Sequence, residues 1–220
     1  TEGTTPSTIT DSTVPTGITS ELSSNYISAI PATSFSDIKG HWAEKAISKW
    51  EWFGVISGTD ATRFSPNSNI SRADFSTIVG RIVGVKENPE LDLNTKGLDG
   101  SKYYTKYVAE MDSIGALLPD NGTQDLRPLD EITREEAALL LCGAFGVVVE
   151  DLDASRLQQF SDWKEVSDDY REALETLVGI GYMNGTPDGK LNPKSNLTRA
   201  EAVTLLNNIL NLYDTVNKVE

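Results

Sequence analysis

Three short stretches carry the most easily named chemistry: "NISRADF" at 69–75, "EITREEA" at 131–137 and "NLTRAEA" at 196–202. In each, a hydroxyl residue (Ser71, Thr133, Thr198) stands where a helix N-cap belongs, and an acid three residues on (Asp74, Glu136, Glu201) completes a capping box. Capping does not explain the arginine between them (Arg72, Arg134, Arg199), because a cation in the first helical turn opposes the macrodipole. Two readings account for it. Either the guanidinium folds back on one of the 33 Asp and Glu side chains, or it joins the unpaired amides of the helix start to hold a ligand anion, a carboxylate above all. On the second reading, Arg72→Ala and Arg199→Ala weaken binding and leave the melting temperature nearly unchanged.

Catalysis finds no comparable pattern. Carboxylates are abundant in an acidic chain without forming a defined pair, and the one histidine, His41, sits beside Trp42 in a helix start. "DLNTKG" and "DNGTQD" gather oxygens without the full calcium-loop spacing. Cys142 lies in "ALLLCGAFG", an apolar setting for an inert thiol, and as the single cysteine it has no partner for an intrachain disulfide. The chain is read as no enzyme, with no metal and no cofactor.

The arginines need helices to carry them, and the spacing supplies these. Counting from each arginine, apolar residues recur in one register: Phe75, Ala137 and Ala202; Ile78, Leu140 and Leu205; Val79, Leu141 and Leu206; Ile82, Ala144 and Ile209; Val83, Phe145 and Leu210. That is one amphipathic helix written three times. Upstream of each runs a second helix, with Ala46, Ile47, Trp50 and Phe53 matching Tyr107, Val108, Met111 and Ile114, and also Ala173, Leu174, Leu177 and Ile180. Gly54, Gly115 and Gly181 close these runs as left-handed stops. The joining loops each place an apolar residue two before a proline, at Phe64, Leu126 and Leu191, as a peg into the core. Since one helix pair cannot cover its own apolar stripe, three pairs should share one core in an all-α, pseudo-threefold domain.

A net charge of −14 argues against nucleic acid or an anionic membrane surface as partner, and no run is long enough to insert in a membrane. Residues 1–34 are rich in Thr and Ser and read as a linker following another module. The repeats are placed at 35–85, 86–149 and 150–214, acting as one module over 35–214.

The segments "FSDIKGHWAEKAISKWEWFGVISG", "FSPNSNISRADF", "FSDW" and "YREALETLVGIGYMNGTPDGKLNPKSNLTRAEAV" closely resemble S-layer homology repeats. The resemblance implies three tandem repeats forming a spindle around a central three-helix bundle, with ligand grooves between neighbours. It implies a secreted, monomeric module on the surface of a thick-walled bacterium. Such a module tethers a larger protein to secondary cell wall polysaccharide, a peptidoglycan-linked glycan whose pyruvylated N-acetylmannosamine would supply the carboxylate. A helical protein–protein interaction module is the alternative.

For the grooves, the resemblance points first to Arg72, Arg134 and Arg199. Trp42 is either a sugar platform or a core residue, with Tyr103 and Tyr104 at its place in the second repeat and Asp169 then Tyr170 in the third. Asp37, Asp99 and Asp162 belong to the grooves or to capping around them. Gly58 and Gly185 let a sugar approach the backbone, whereas Pro119 stands at that point in the second repeat and donates nothing. The second arginine motif is accordingly expected to contribute least.

Overall fold

Apolar periodicity becomes helix at each of the six expected places. A computed structural model describes residues 33–216 except 92, 95, 121 and 149–153, so nearly all of the proposed linker and the start of the third repeat lie outside the described residues. The helices are α1 (Glu44–Trp52), α2 (Arg72–Ile82), α3 (Thr105–Ser113), α4 (Arg134–Phe145), α5 (Asp168–Gly179) and α6 (Arg199–Val216). Short 3-10 turns at Ser36–Ile38, Ala154–Gln159 and Trp163–Glu165 precede the first helices of the outer repeats. Among the described residues the fold is all-α, with three isolated antiparallel bridges and no strand.

The stops and pegs act as their residue types require. Gly54, Gly115 and Gly181 take φ of 69°, 72° and 78°, the left-handed turn that ends a helix. Phe64, Leu126 and Leu191 are fully buried. Of the first-helix stripe, Ile47, Trp50, Val108, Met111, Leu174 and Leu177 are buried, but Ile114 is exposed. The residue between each peg and its proline (Ser65, Arg127, Asn192) is also left-handed, with φ of 58°, 46° and 54°. A non-glycine residue holds that conformation only where its neighbours fix it.

The three repeats close on one another as a ring. Each second helix packs on the first helix of the next repeat: α2 on α3, α4 on α5, and α6 back on α1; α2 also touches α4. At the helix starts the backbone closes the same circle, with Ile70 N–H bonded to Leu197 O, Leu197 N–H to Ile132 O and Ile132 N–H to Ile70 O, each at 3.0 Å. Glu131 Oε2 lies at one end of this triangle and accepts from Asn69 (2.8 Å) and Asn196 (2.5 Å), its counterparts in the other repeats.

Candidate functional site

The amides at the three helix starts are not free, which corrects the expectation that they await an anion. Arg72 and Ala73 donate to Asp130 O and Pro128 O, Arg134 and Glu135 to Ser195 O and Pro193 O, and Arg199 and Ala200 to Ser68 O and Pro66 O. The third amide goes to the cap: Asp74 N to Ser71, Glu136 N to Thr133 and Glu201 N to Thr198. The N-termini of α2, α4 and α6 are thus each capped by the loop of the following repeat, in cyclic order. The reciprocal half of the capping box forms at Thr133 and Thr198, while Asp74 turns instead to the Tyr103 hydroxyl at 2.5 Å.

The guanidiniums follow the same circle; the fold-back onto an acid holds for Arg72, which meets Glu136, but the backbone carbonyls that all three grip were in neither sequence reading. Arg72 gives Nε to Leu126 O (2.9 Å) and Nη2 to Leu118 O (2.7 Å). Arg134 reaches Leu191 O and Asn184 O (both 2.9 Å), and Arg199 reaches Phe64 O and Ser57 O (both 2.8 Å). Each arginine therefore straps down the next repeat's loop, at its buried peg and at the residue before Gly58, Pro119 or Gly185. Arg199 also lies over the Phe64 ring, 4.5 Å from its centroid.

The third guanidinium nitrogen distinguishes the grooves. Arg72 is wholly buried, and its Nη1 is taken by Glu136, whose Oε1 also accepts from Arg127 at 3.1 Å. No face of Arg72 is left for a ligand, which corrects its assignment as a ligand residue. Among the described residues, Nη1 of Arg134 and of Arg199 carries no hydrogen bond, and both nitrogens reach solvent. Burial pulls the pKa of all three arginines down. Glu136 opposes this most at Arg72, Glu201 and then Asp162 at Arg134, and Asp74, Tyr103 and Asp37 at Arg199.

The aspartates are loop staples. Asp37 accepts from the amides of Phe64 (2.9 Å) and Ser65 (2.8 Å), and Asp162 from Leu191 (2.8 Å) and Asn192 (2.7 Å), which pins the left-handed residues. Burial pushes the Asp37 carboxyl up, but the two amides outweigh it and hold the value below 3.8. Asp99 does not match: it binds Ser101, and the Leu126 amide goes to Lys96 O instead. Trp42 and Tyr103 are each 63% exposed, so Trp42 is no core residue, whereas Tyr104 is buried edge-on against Tyr103 and is corrected to a core residue. Tyr170 is half-buried near Glu136 and Arg72.

Gly58 and Gly185 answer to the loop itself. A Cβ on Gly58 would overlap Asp60 O and meet Phe35, and one on Gly185 would overlap Phe160 and lie 2.7 Å from Lys190 O. Their amides nonetheless make no hydrogen bond among the described residues, beside carbonyls that Arg199 and Arg134 hold. Sequence reasoning missed Glu136 and Arg127 as occupants of the second groove. The available signal was Arg127 itself, a cation where the other repeats have Ser65 and Asn192.

A profile of the S-layer homology domain matches residues 34–76 and 159–203. The chain belongs to the S-layer homology family. It is 31% identical over 166 residues to a cellulosome-anchoring protein of Acetivibrio thermocellus, covering 70% of the chain and 35% of that protein. Identity is 28% over 181 residues to an amylopullulanase of Thermoanaerobacterium thermosulfurigenes (80% and 9%), and 25% over 193 residues to an S-layer protein of Bacillus thuringiensis subsp. finitimus (86% and 23%). The chain thus spans 9 to 35% of the length of these relatives. The profile leaves residues 77–158 unmatched, the stretch that carries Pro119 and the Glu136–Arg127 pair.

Proposed function

We propose that this S-layer homology module is a non-catalytic anchor, which holds a larger surface protein to the cell wall through an acidic secondary cell wall polysaccharide. Its S-layer and cellulosome-anchoring relatives support a place at the cell surface. The repeats would form a spindle with α2, α4 and α6 at its centre. Two of the three grooves would take the acidic sugar, with Arg199, Gly58 and Tyr103 in one, and Arg134, Gly185 and Trp42 in the other.

The observation that carries this reading is the pair of guanidiniums positioned by Nε and Nη2, each with a solvent-reaching Nη1 left over. A cation already fixed and partly desolvated binds a carboxylate without losing side-chain entropy, so a strongly acidic chain can hold an anionic sugar locally. The middle groove supplies its own carboxylate in Glu136. Pyruvylated N-acetylmannosamine has the carboxyl group this chemistry asks for.

Calorimetry with that sugar, with and without its pyruvyl ketal, tests the proposal alongside sedimentation on sacculi before and after the polysaccharide is stripped. The expected result is two sites per chain for the ketal-bearing sugar, none for the bare sugar, and loss of sedimentation on stripping. Equal affinity for the two sugars, or undiminished binding to stripped walls, would refute it.

A further inference from the structure

The two connectors between repeats have equal length but differ in structure. From Phe145 to Asp168 the chain folds a 3-10 turn, Ala154–Gln159, onto α5. From Ile82 to Thr105 the described residues form no such turn, and with the start of α3 they line an open cavity of about 820 Å³. Its lining includes Asn88, Leu91, Asn94, Lys102, Tyr103 and Lys106, with Glu87 as the one carboxylate among the described residues. Lys102 is loosely paired with Asp99 at 3.6 Å, and Lys106 lies over the Tyr107 ring at 5.0 Å. In a chain of charge −14, two lysines in one cavity wall are groups that could meet an acidic substituent.

Tyr103 belongs to both this cavity and the Arg199 groove. Its hydroxyl is fixed on Asp74, and Asp74 and Tyr103 are the two groups that act most strongly on Arg199 after burial. Burial and the Asp74 bond push the phenol up to about 12, so it stays a donor to Asp74. The ring is 63% exposed, flat and held from one end, suited to the C–H face of a sugar lying across it. The volume is that of a small-molecule site, and Tyr103 links it to the Arg199 groove.

We infer that the cavity is a second subsite, which receives the sugars continuing the polymer past the residue held at Arg199, with Lys102 and Lys106 meeting their acidic substituents. This rests on the reading of the Arg199 groove given above. The proposal assigns this cavity to the Arg199 groove alone, so the two sites would differ in the length of polymer they grip.

The test uses fragments of one to four sugars, cut from purified wall polymer and sorted by size, titrated into the wild-type chain and the Lys102→Ala/Lys106→Ala variant. Both lysines are on the surface, and matching thermal melts confirm that the variant is folded. In the wild type, affinity at one of the two sites should rise about tenfold from one sugar to three, while the other stays flat. The variant should keep single-sugar affinity and lose most of that rise. Equal affinity for all lengths, or a rise that survives in the variant, would overturn the subsite and leave the Arg199 groove standing. Binding of no fragment to the wild type would overturn both.

Discussion

Replacing Arg72 with alanine should destabilise the whole module, the reverse of what a lone cation at a helix start suggests. The side chain is wholly buried and joins three acceptors: Leu126 O, Leu118 O and Glu136. An unmet buried acceptor costs about 1–3 kcal/mol, and breaking a buried ion pair about 3–5 kcal/mol. These overlap, because one side chain serves all three and Arg127 still faces Glu136, so about 3–5 kcal/mol is the total expected. For a domain stable by about 5–15 kcal/mol that is a large share. At roughly 2–4 °C per kcal/mol for a chain of this size, the midpoint should fall by roughly 6–20 °C. Thermal circular dichroism measures it, with Arg199→Ala as control, since that residue grips two carbonyls without an acid partner. The control should fall by less and lose ligand. A melt of Arg72→Ala within about 2 °C of wild type would refute the strap and restore the idea of a free cation.

The Asp37 staple makes a pH prediction. Its folded pKa lies below 3.8, so its stabilisation is present above that value and is lost as the pH falls through the folded one. Asp37→Asn should therefore lower stability at neutral pH and flatten its loss below about pH 4, read from urea midpoints across the acid range; parallel curves would count against the staple. Gly185→Ala should cost about 1–3 kcal/mol by overlap with Phe160, and a variant as stable as wild type in denaturant would show that the loop yields.

What could be read from letters was whatever depends on neighbours along the chain. The helix stripes, the glycine stops, the buried pegs before each proline and the capping hydroxyls all follow from spacing, and apart from the exposed Ile114 they appear where expected. The arginines did not yield to this. Glu136 aside, their acceptors are backbone carbonyls of another repeat, and a carbonyl has no letter of its own. Asp99 aligns with Asp37 and Asp162 in sequence, but the backbone of Lys96 has taken over its task. Tyr103 and Tyr104 are adjacent, and only the direction in which α3 begins decides which one is buried. Glu136 reads as a capping acid and is one; that a second oxygen also fills a groove depends on Arg72 arriving from 64 residues away.

The closure of α6 and Arg199 onto the first repeat makes the three junctions between repeats alike in contact but unlike in covalent linkage. Two are spanned by the chain, and the third is a clasp. A single cut in either connector would then exchange one clasp for another, since the straps and the triangle of backbone bonds do not depend on which junction the peptide crosses. The order of the repeats along the gene is in this sense a labelling of a circle. A permuted chain, with α6 joined to Ser36–Ile38 by a link and new ends within 83–91, should rebuild the three arginine straps while giving up the cavity wall.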